Sequence, residues 1–187
     1  MKEWPFGLKA VLIGAIVFGV LGILGGGFGL LGLFMKPQNP ATMGNAAQAE
    51  LNQRIQEHAK KMRPVQLILV PAMLATSVLL LAAGISGLKL QGLGFIRLAF
   101  VASLVTDSIS AIFGISAQIK MIDLMQDYVK NAGADPAVAT GMKFGVSVGL
   151  FFAVGWLVAK VGFYVGSLVL FSKRAVREAF SPPPAPL

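Results

Sequence analysis

The sequence contains no cysteine and only one histidine, His58. Without cysteine, the chain can form neither a disulfide nor a thiolate metal site, and it has no thiol nucleophile. A metal site needs several clustered ligands, and no second histidine stands near His58. No Ser-His-Asp set, carboxylate pair or nucleotide-binding motif is present either. We therefore predict no catalytic residue, no metal site and no cofactor, and a protein that is not an enzyme.

Charge is also scarce, since 13% of the residues are charged and 56% are hydrophobic. Soluble domains carry about a quarter charged residues. The mean hydropathy of +0.75 predicts that lipid, and not water, is the main solvent of this chain. The net charge of +8 is spread between hydrophobic runs and forms no dense patch. This pattern favours contact with anionic lipid headgroups and argues against binding to nucleic acid.

What the sequence does contain is four long hydrophobic runs. They cover about residues 10–35, 64–88, 98–119 and 144–172. Each run reaches the ~20 residues that a helix needs to cross a bilayer. Asp107 interrupts the third run and Lys160 the fourth, while the other two carry no charge. We predict an all-α integral membrane protein with four transmembrane helices in a single domain, residues 1–180, followed by a disordered proline-rich tail, residues 181–187.

The segments between the runs predict helices that extend beyond the membrane. Residues 45–62 keep a helical spacing of apolar side chains, and Pro64 then predicts a kink or a break. Pro136 fits the first position of a new helix. We expect a third helix over residues 94–130 and a fourth over 136–179, roughly 55 to 65 Å long against a hydrocarbon core of about 30 Å. The predicted arrangement is two antiparallel hairpins whose helices project beyond the bilayer on one side.

The distribution of basic residues predicts the orientation only weakly. The face with both termini and the opposite face carry similar numbers of Lys and Arg. The positive-inside rule applies best to short segments, and the shorter segments lie on the face with the termini. We expect a multi-pass protein of the cell membrane with cytoplasmic termini.

Asp107 and Lys160 are the strongest candidates for a functional site. An ionisable side chain at bilayer depth costs about 2.5 to 3.5 kcal/mol, so it usually has a partner. In antiparallel neighbouring helices both residues would lie roughly 15 to 20 Å from the same membrane face, which predicts an ion pair. Ser103 and Ser110 share a small, polar stripe with Asp107. The pair either fixes the register of two helices or belongs to a proton or ion relay, and we favour the first.

Glycine pairs spaced four residues apart are typical of closely packed membrane helices. In the first run these are Gly22 with Gly26 and Gly25 with Gly29, and in the fourth run Gly145 with Gly149 and Gly162 with Gly166. The pattern predicts close helix packing, within one chain or between chains.

These observations favour a non-catalytic membrane subunit that has a structural, accessory or assembly role in a larger complex. Its partners would be the lipid bilayer and other membrane subunits, or further copies of itself. The alternative is a small transporter or channel for ions, protons or a solute, which would use Asp107 and Lys160.

Overall fold

The computed structural model of the protein describes residues 7–35, 46–131 and 136–181. Every regular element in these ranges is an α-helix, which confirms the all-α class. The elements are α1 (Leu8–Phe34), α2 (Ala46–Leu88), α3 (Leu93–Asn131), α4 (Pro136–Ser172) and the short α5 (Arg174–Ala179). The helices α1 to α4 are each long and apolar enough to cross a membrane, as the four hydrophobic runs predict. The proline-rich residues 182–187 lie outside the described ranges.

Consecutive long helices pack side by side in opposite directions. Along α1, Gly19 faces Leu81 of α2, whereas the later residue Gly26 faces Leu74, which is earlier in α2. The pairs α2 with α3 and α3 with α4 also run in opposite directions, and α1 contacts α4 mainly through side chains. We call the end of the bundle where α1 begins and α4 ends the terminal end. The opposite end, where α1 ends and α4 begins, is the far end.

The tightly packed core lies at the terminal end. Its buried members are Leu8, Leu12, Ala15, Leu80, Ala83, Ile96, Ala99, Phe100, Tyr164, Phe171 and Val176. In the far half few of the described side chains are buried, and Leu51 and Leu124 are the clearest cases. The bundle is therefore closed at the terminal end and more open at the far end.

Two prolines lie inside α2 without ending it. The helix runs for 43 residues through Pro64 and Pro71, so the alternative of a break at Pro64 is wrong. Each proline removes one backbone hydrogen bond, and neighbouring packing and hydroxyl groups can stabilise such a site. The segment that leads into the apolar part of α2 is thus a continuous helical extension.

The beginning of α4 agrees with the prediction from the sequence, and the end of α4 differs from it. Pro136 begins α4, as predicted. The fourth helix was predicted to run to residue 179, but it ends at Ser172 because Lys173 is extended, with ψ 141°. After this bend Val176 is buried, at 1% exposure, in the same core as Phe171. The end of α4 and the burial of Val176 therefore occur together.

Candidate functional site

Asp107 and Lys160 lie in contact in the interior of the bundle. The Lys160 ammonium Nζ donates to Asp107 Oδ2 at 2.8 Å, and the two side chains are 15% and 12% exposed. They meet because α3 and α4 run in opposite directions at closely matched register. A nearly buried pair of opposite charges is neutral overall, which lowers the cost of placing either charge in an apolar environment.

Tyr164 is a third member of this site, and the sequence analysis does not identify it. Its hydroxyl donates to the same Asp107 Oδ2 at 2.7 Å. Tyr164 follows Lys160 by four residues, so both side chains extend from one face of α4. This four-residue spacing in the sequence indicates that a residue in contact with Lys160 can also contact Tyr164. Trp156 lies one turn earlier, and its ring centroid is 5.9 Å from Lys160 Nζ, within the range of a cation–π interaction.

An aromatic cluster closes the site toward the terminal end. It consists of Phe18, Phe100, Phe163, Tyr164 and Phe171. Phe100 packs against Phe171 with ring centroids 5.4 Å apart, and Phe18 packs against Phe163 at 4.8 Å. Such tilted and edge-to-face arrangements are favourable for aromatic rings. Because Phe100 and Phe171 are fully buried, the ion pair is shielded on this side by apolar side chains.

A cavity of about 280 Å³ opens on the opposite side of the ion pair. We call it the polar cavity; its lining includes Asp107, Lys160, Ser110, Gly114, Gln118 and Trp156. Ser110 Oγ and Gln118 Oε1 are buried and have no hydrogen-bond partner among the described residues. A side-chain atom added at Gly114 would meet nothing within 4 Å. The cavity is therefore a space between α3 and α4 that offers unsatisfied polar atoms.

The two serines predicted to share a stripe with Asp107 have different surroundings. Ser110 lines the polar cavity, whereas Ser103 is buried and donates to the Thr76 carbonyl of α2 at 3.5 Å. Ser103 therefore joins α3 to α2, and it does not contribute to the space around the ion pair.

The predicted packing glycines also divide into two groups. On α1, Gly22, Gly26 and Gly29 lie against α2, at Ser77, Leu74 and Val70. The remaining ones have open space where a side chain would begin: Gly25, Gly145, Gly149, Gly162 and Gly166. Three of the four predicted glycines of α1 thus pack against α2, whereas Gly25 and the predicted glycines of α4 have no close neighbour among the described residues.

Replacing Tyr164 by phenylalanine is expected to destabilise the fold, because Asp107 loses one of its two donors. A hydrogen bond to a charged group is stronger than one between neutral groups. Hydrogen bonds between helices of membrane proteins, however, contribute only modestly to stability. We expect the free energy of unfolding to fall by about 1 to 2 kcal/mol. It can be measured by unfolding the purified protein in lipid–detergent micelles. Tyr128→Phe is the matched control at a partly exposed position, and an equal loss in both variants would contradict a stabilising role of this hydrogen bond.

The arrangement can hold a neutral, hydrogen-bonded charge pair at the boundary between an aromatic cluster and a small polar cavity. Within the described ranges, no three residues among His, Asp and Glu lie close enough together to hold a metal ion. No family model, curated protein or solved structure matches the chain.

Proposed function

We propose that the protein is a multi-pass protein of the cell membrane, in which α1 to α4 cross the bilayer as two antiparallel hairpins. Large apolar side chains on the outside support this location. Phe28 is 74% exposed, Ile68 72% and Phe151 76%. A surface of this kind would associate in water, whereas lipid chains cover it without cost.

We further propose that it serves as a non-catalytic structural or assembly subunit of a larger membrane complex. The observation that supports this role is a stripe of small residues on the outside of α4. It consists of Gly155, Ala159, Gly162 and Gly166, all exposed. Positions i, i+4, i+7 and i+11 fall on one face of a helix. The three glycines have no atom within 4 Å of the place where a side chain would begin.

The stripe is better explained by a second helix than by lipid. Glycine weakens a helix by about 1 kcal/mol relative to alanine, and a lipid chain gains nothing from its small size. Close approach of another helix backbone does benefit from small residues, through van der Waals contact. The same chain shows this use directly, since Gly22 and Gly26 of α1 lie against α2. The stripe on α4 has no such neighbour among the described residues, so a partner subunit would supply it.

The polar cavity is the specific observation that favours the alternative, a small transporter. Ser110 and Gln118 could bind water in this cavity, which reaches the ion pair from the far end. Transport also requires access from the terminal end, where Phe100, Phe163 and Phe171 pack together beyond the pair. Asp107 is moreover held by both Lys160 and Tyr164. These contacts favour a pair that stabilises the bundle over one that moves charge through it.

Gentle extraction from the native membrane followed by native mass spectrometry tests the subunit role. We expect a stoichiometric complex with at least one other protein. The double variant Ala159→Leu/Gly162→Leu fills the stripe, so it should lose most of the bound partner. Gly25→Leu is the matched control, because Gly25 is exposed on α1 and also has open space around it. This control should retain the partner.

One result would count against the subunit role, and another against the stripe as the contact with the partner. A wild-type protein that emerges as a monomer or a homo-oligomer has no partner subunit to assemble. Equal partner loss in the α4 variant and in Gly25→Leu would show that the stripe is not the contact. The first result would direct attention to ion flux in proteoliposomes, with Asp107 and Lys160 variants as probes of the polar cavity.

A further inference from the structure

A second cavity, of about 320 Å³, lies at the far end between the last turn of α1 and the middle of α2. We call it the basic cleft. Its lining on α1 is Gly32, Leu33 and Met35, and on α2 Gln56, Ala59, Lys60, Arg63 and Gln66. It does not share a lining residue with the polar cavity, and neither the ion pair nor the stripe on α4 takes part in it.

Two cations stand on one side of the basic cleft without an acidic partner. Lys60 and Arg63 are three residues apart in α2, so they lie on the same face. In the described ranges the ion pairs are Arg54 with Glu50, Lys160 with Asp107, and Arg174 with Glu178. Neither cleft cation belongs to any of them. The cleft therefore carries two positive charges, and no carboxylate of the described residues lies within salt-bridge distance of either one.

Arg63 is oriented by the end of α1. Its Nη2 donates to the Leu33 carbonyl oxygen at 3.3 Å, one of the carbonyls that the last turn of a helix leaves without an intrahelical partner. A guanidinium group has five N–H donors, so this bond leaves others for a ligand. This planar set of donors matches the oxygens of a phosphate or a carboxylate group.

The other side of the cleft is apolar and continues onto the lipid-facing surface. Gly32, Leu33, Met35 and Ala59 form its apolar lining. Next to it, Leu31 is 61% exposed and Leu67 51%. A free inorganic anion would use only the cations, whereas a lipid would use both sides at once. The ligand that fits is an amphiphile with a phosphate group and a hydrocarbon chain.

The position along the helices agrees with this chemistry. The uncharged run of α1 ends at Met35 and that of α2 begins at Pro64, and the antiparallel packing brings these two points together. If α1 and α2 cross the bilayer, as proposed above, Lys60 and Arg63 stand at the level of the phosphate groups. Basic pockets at the ends of membrane helices bind anionic lipid headgroups in this way.

We infer that the basic cleft is a binding site for an anionic phospholipid of the leaflet at the far end. Lys60 and Arg63 bind the headgroup phosphate, and the hydrocarbon chain lies over Gly32 and Leu33 toward Leu67. This inference rests on the membrane location in the proposed function, but not on the subunit role and not on the expectation that the termini are cytoplasmic.

The test uses the full chain in nanodiscs of phosphatidylcholine with a minor share of phosphatidylglycerol. Native mass spectrometry counts the lipids that stay bound after the disc is removed. We expect preferential retention of phosphatidylglycerol, lowered about tenfold or more in Lys60→Gln/Arg63→Gln, since each cation near an anionic lipid contributes about 1 kcal/mol. Lys120→Gln/Lys130→Gln is the matched control, because it removes the same charge from exposed positions of α3. Phosphatidylglycerol retention by this control variant should stay within about twofold of the wild-type value.

A second variant separates a lipid from a free anion. Gly32→Leu adds a side chain in the open space of the cleft and changes no charge. Because this side chain would occupy the place of the hydrocarbon chain, the variant should lower phosphatidylglycerol retention as well. Millimolar inorganic phosphate should not displace the lipid beyond the effect of sodium chloride at the same ionic strength. Retention that responds to phosphate but not to Gly32→Leu would identify a site for free anions, and would overturn the lipid assignment.

Two further outcomes have distinct meanings. Equal retention of the two lipids, or an equal loss in both double variants, would overturn the lipid site while the membrane location stands. Failure of the wild-type protein to enter the nanodiscs would overturn the membrane location itself. Co-purification of partner subunits is an independent measurement, so the subunit role does not depend on either result.

Discussion

Replacing Asp107 by asparagine is expected to lower the free energy of unfolding by about 3 to 5 kcal/mol, because Lys160 is left nearly buried without a counter-charge. Asparagine has almost the same shape as aspartate, so the packing around α3 is preserved. Its amide oxygen can still accept the hydrogen bond from Tyr164. The loss therefore reports the missing negative charge, and little else.

The double variant Asp107→Asn/Lys160→Met is expected to recover most of that loss. Methionine is unbranched and close to lysine in length, and it leaves no charge to be neutralised. Exchanging a buried ion pair for apolar groups of similar volume is often neutral or stabilising, whereas removing one partner is not. The stability of the single variant Lys160→Met should lie between the stabilities of Asp107→Asn and of the double variant. In Lys160→Met the Asp107 carboxylate still accepts the hydrogen bond from Tyr164.

All four proteins can be compared by unfolding in the same lipid–detergent micelles, with helix content followed by circular dichroism. The difference between the double variant and the sum of the single variants gives the coupling energy of the pair. If Asp107→Asn and Lys160→Met each change stability by less than about 0.5 kcal/mol, as surface substitutions do, the pair is effectively solvated. It then does not hold α3 and α4 together.

The same double variant distinguishes the two functional hypotheses. A pair that fixes helix register can be replaced by neutral residues without loss of the assembled complex. A proton or ion relay would lose transport even though the double variant remains folded. Stability alone does not separate the two cases, because a single substitution destabilises the bundle under either one.

The ion pair could be predicted from the sequence because it consists of the only charged residues in two long apolar runs. Matching their distances from the ends of the runs requires no more than the rise of a helix. Tyr164 could not be assigned in the same way, since a tyrosine in a membrane helix is often a packing or interfacial residue. Its role depends on the rotation of α4 about its own axis, which places Lys160 and Tyr164 together toward α3.

Helix ends and helix neighbours were harder to predict than the helices themselves. Nothing around Lys173 resembles a usual helix stop, since neither glycine nor proline stands there. After the bend Val176 is buried in the same core as Phe171, which is tertiary packing that the local sequence does not reveal. The glycine pairs of α1 and α4 look alike in the sequence, yet only Gly22, Gly26 and Gly29 of α1 lie against another helix. Which face of a helix meets a neighbour is decided by the whole bundle.

Gly19→Leu is expected to lower the free energy of unfolding by about 3 kcal/mol or more, the upper part of the range for overpacked interiors. A side-chain carbon added at Gly19 would lie 2.8 Å from the backbone nitrogen of Leu81 and 2.9 Å from its Cα. Backbone atoms cannot rotate away as a side chain can, so α1 would have to separate from α2. That movement would also loosen the contacts of Gly22 and Gly26 farther along the same interface.

Gly25→Leu is the control that isolates this steric effect. Both variants replace glycine by leucine within α1, so they gain the same helix propensity. They differ in their surroundings, because a side chain at Gly25 enters open space whereas one at Gly19 meets Leu81. We expect Gly25→Leu to be as stable as wild type or slightly more stable. Because the chain has no cysteine, spin labels on Val20→Cys and Val78→Cys would report the distance between α1 and α2. An unchanged distance and equal stability in both leucine variants would show that Gly19 is not a close contact, while a longer distance in Gly19→Leu alone would identify it as the point that sets the α1–α2 separation.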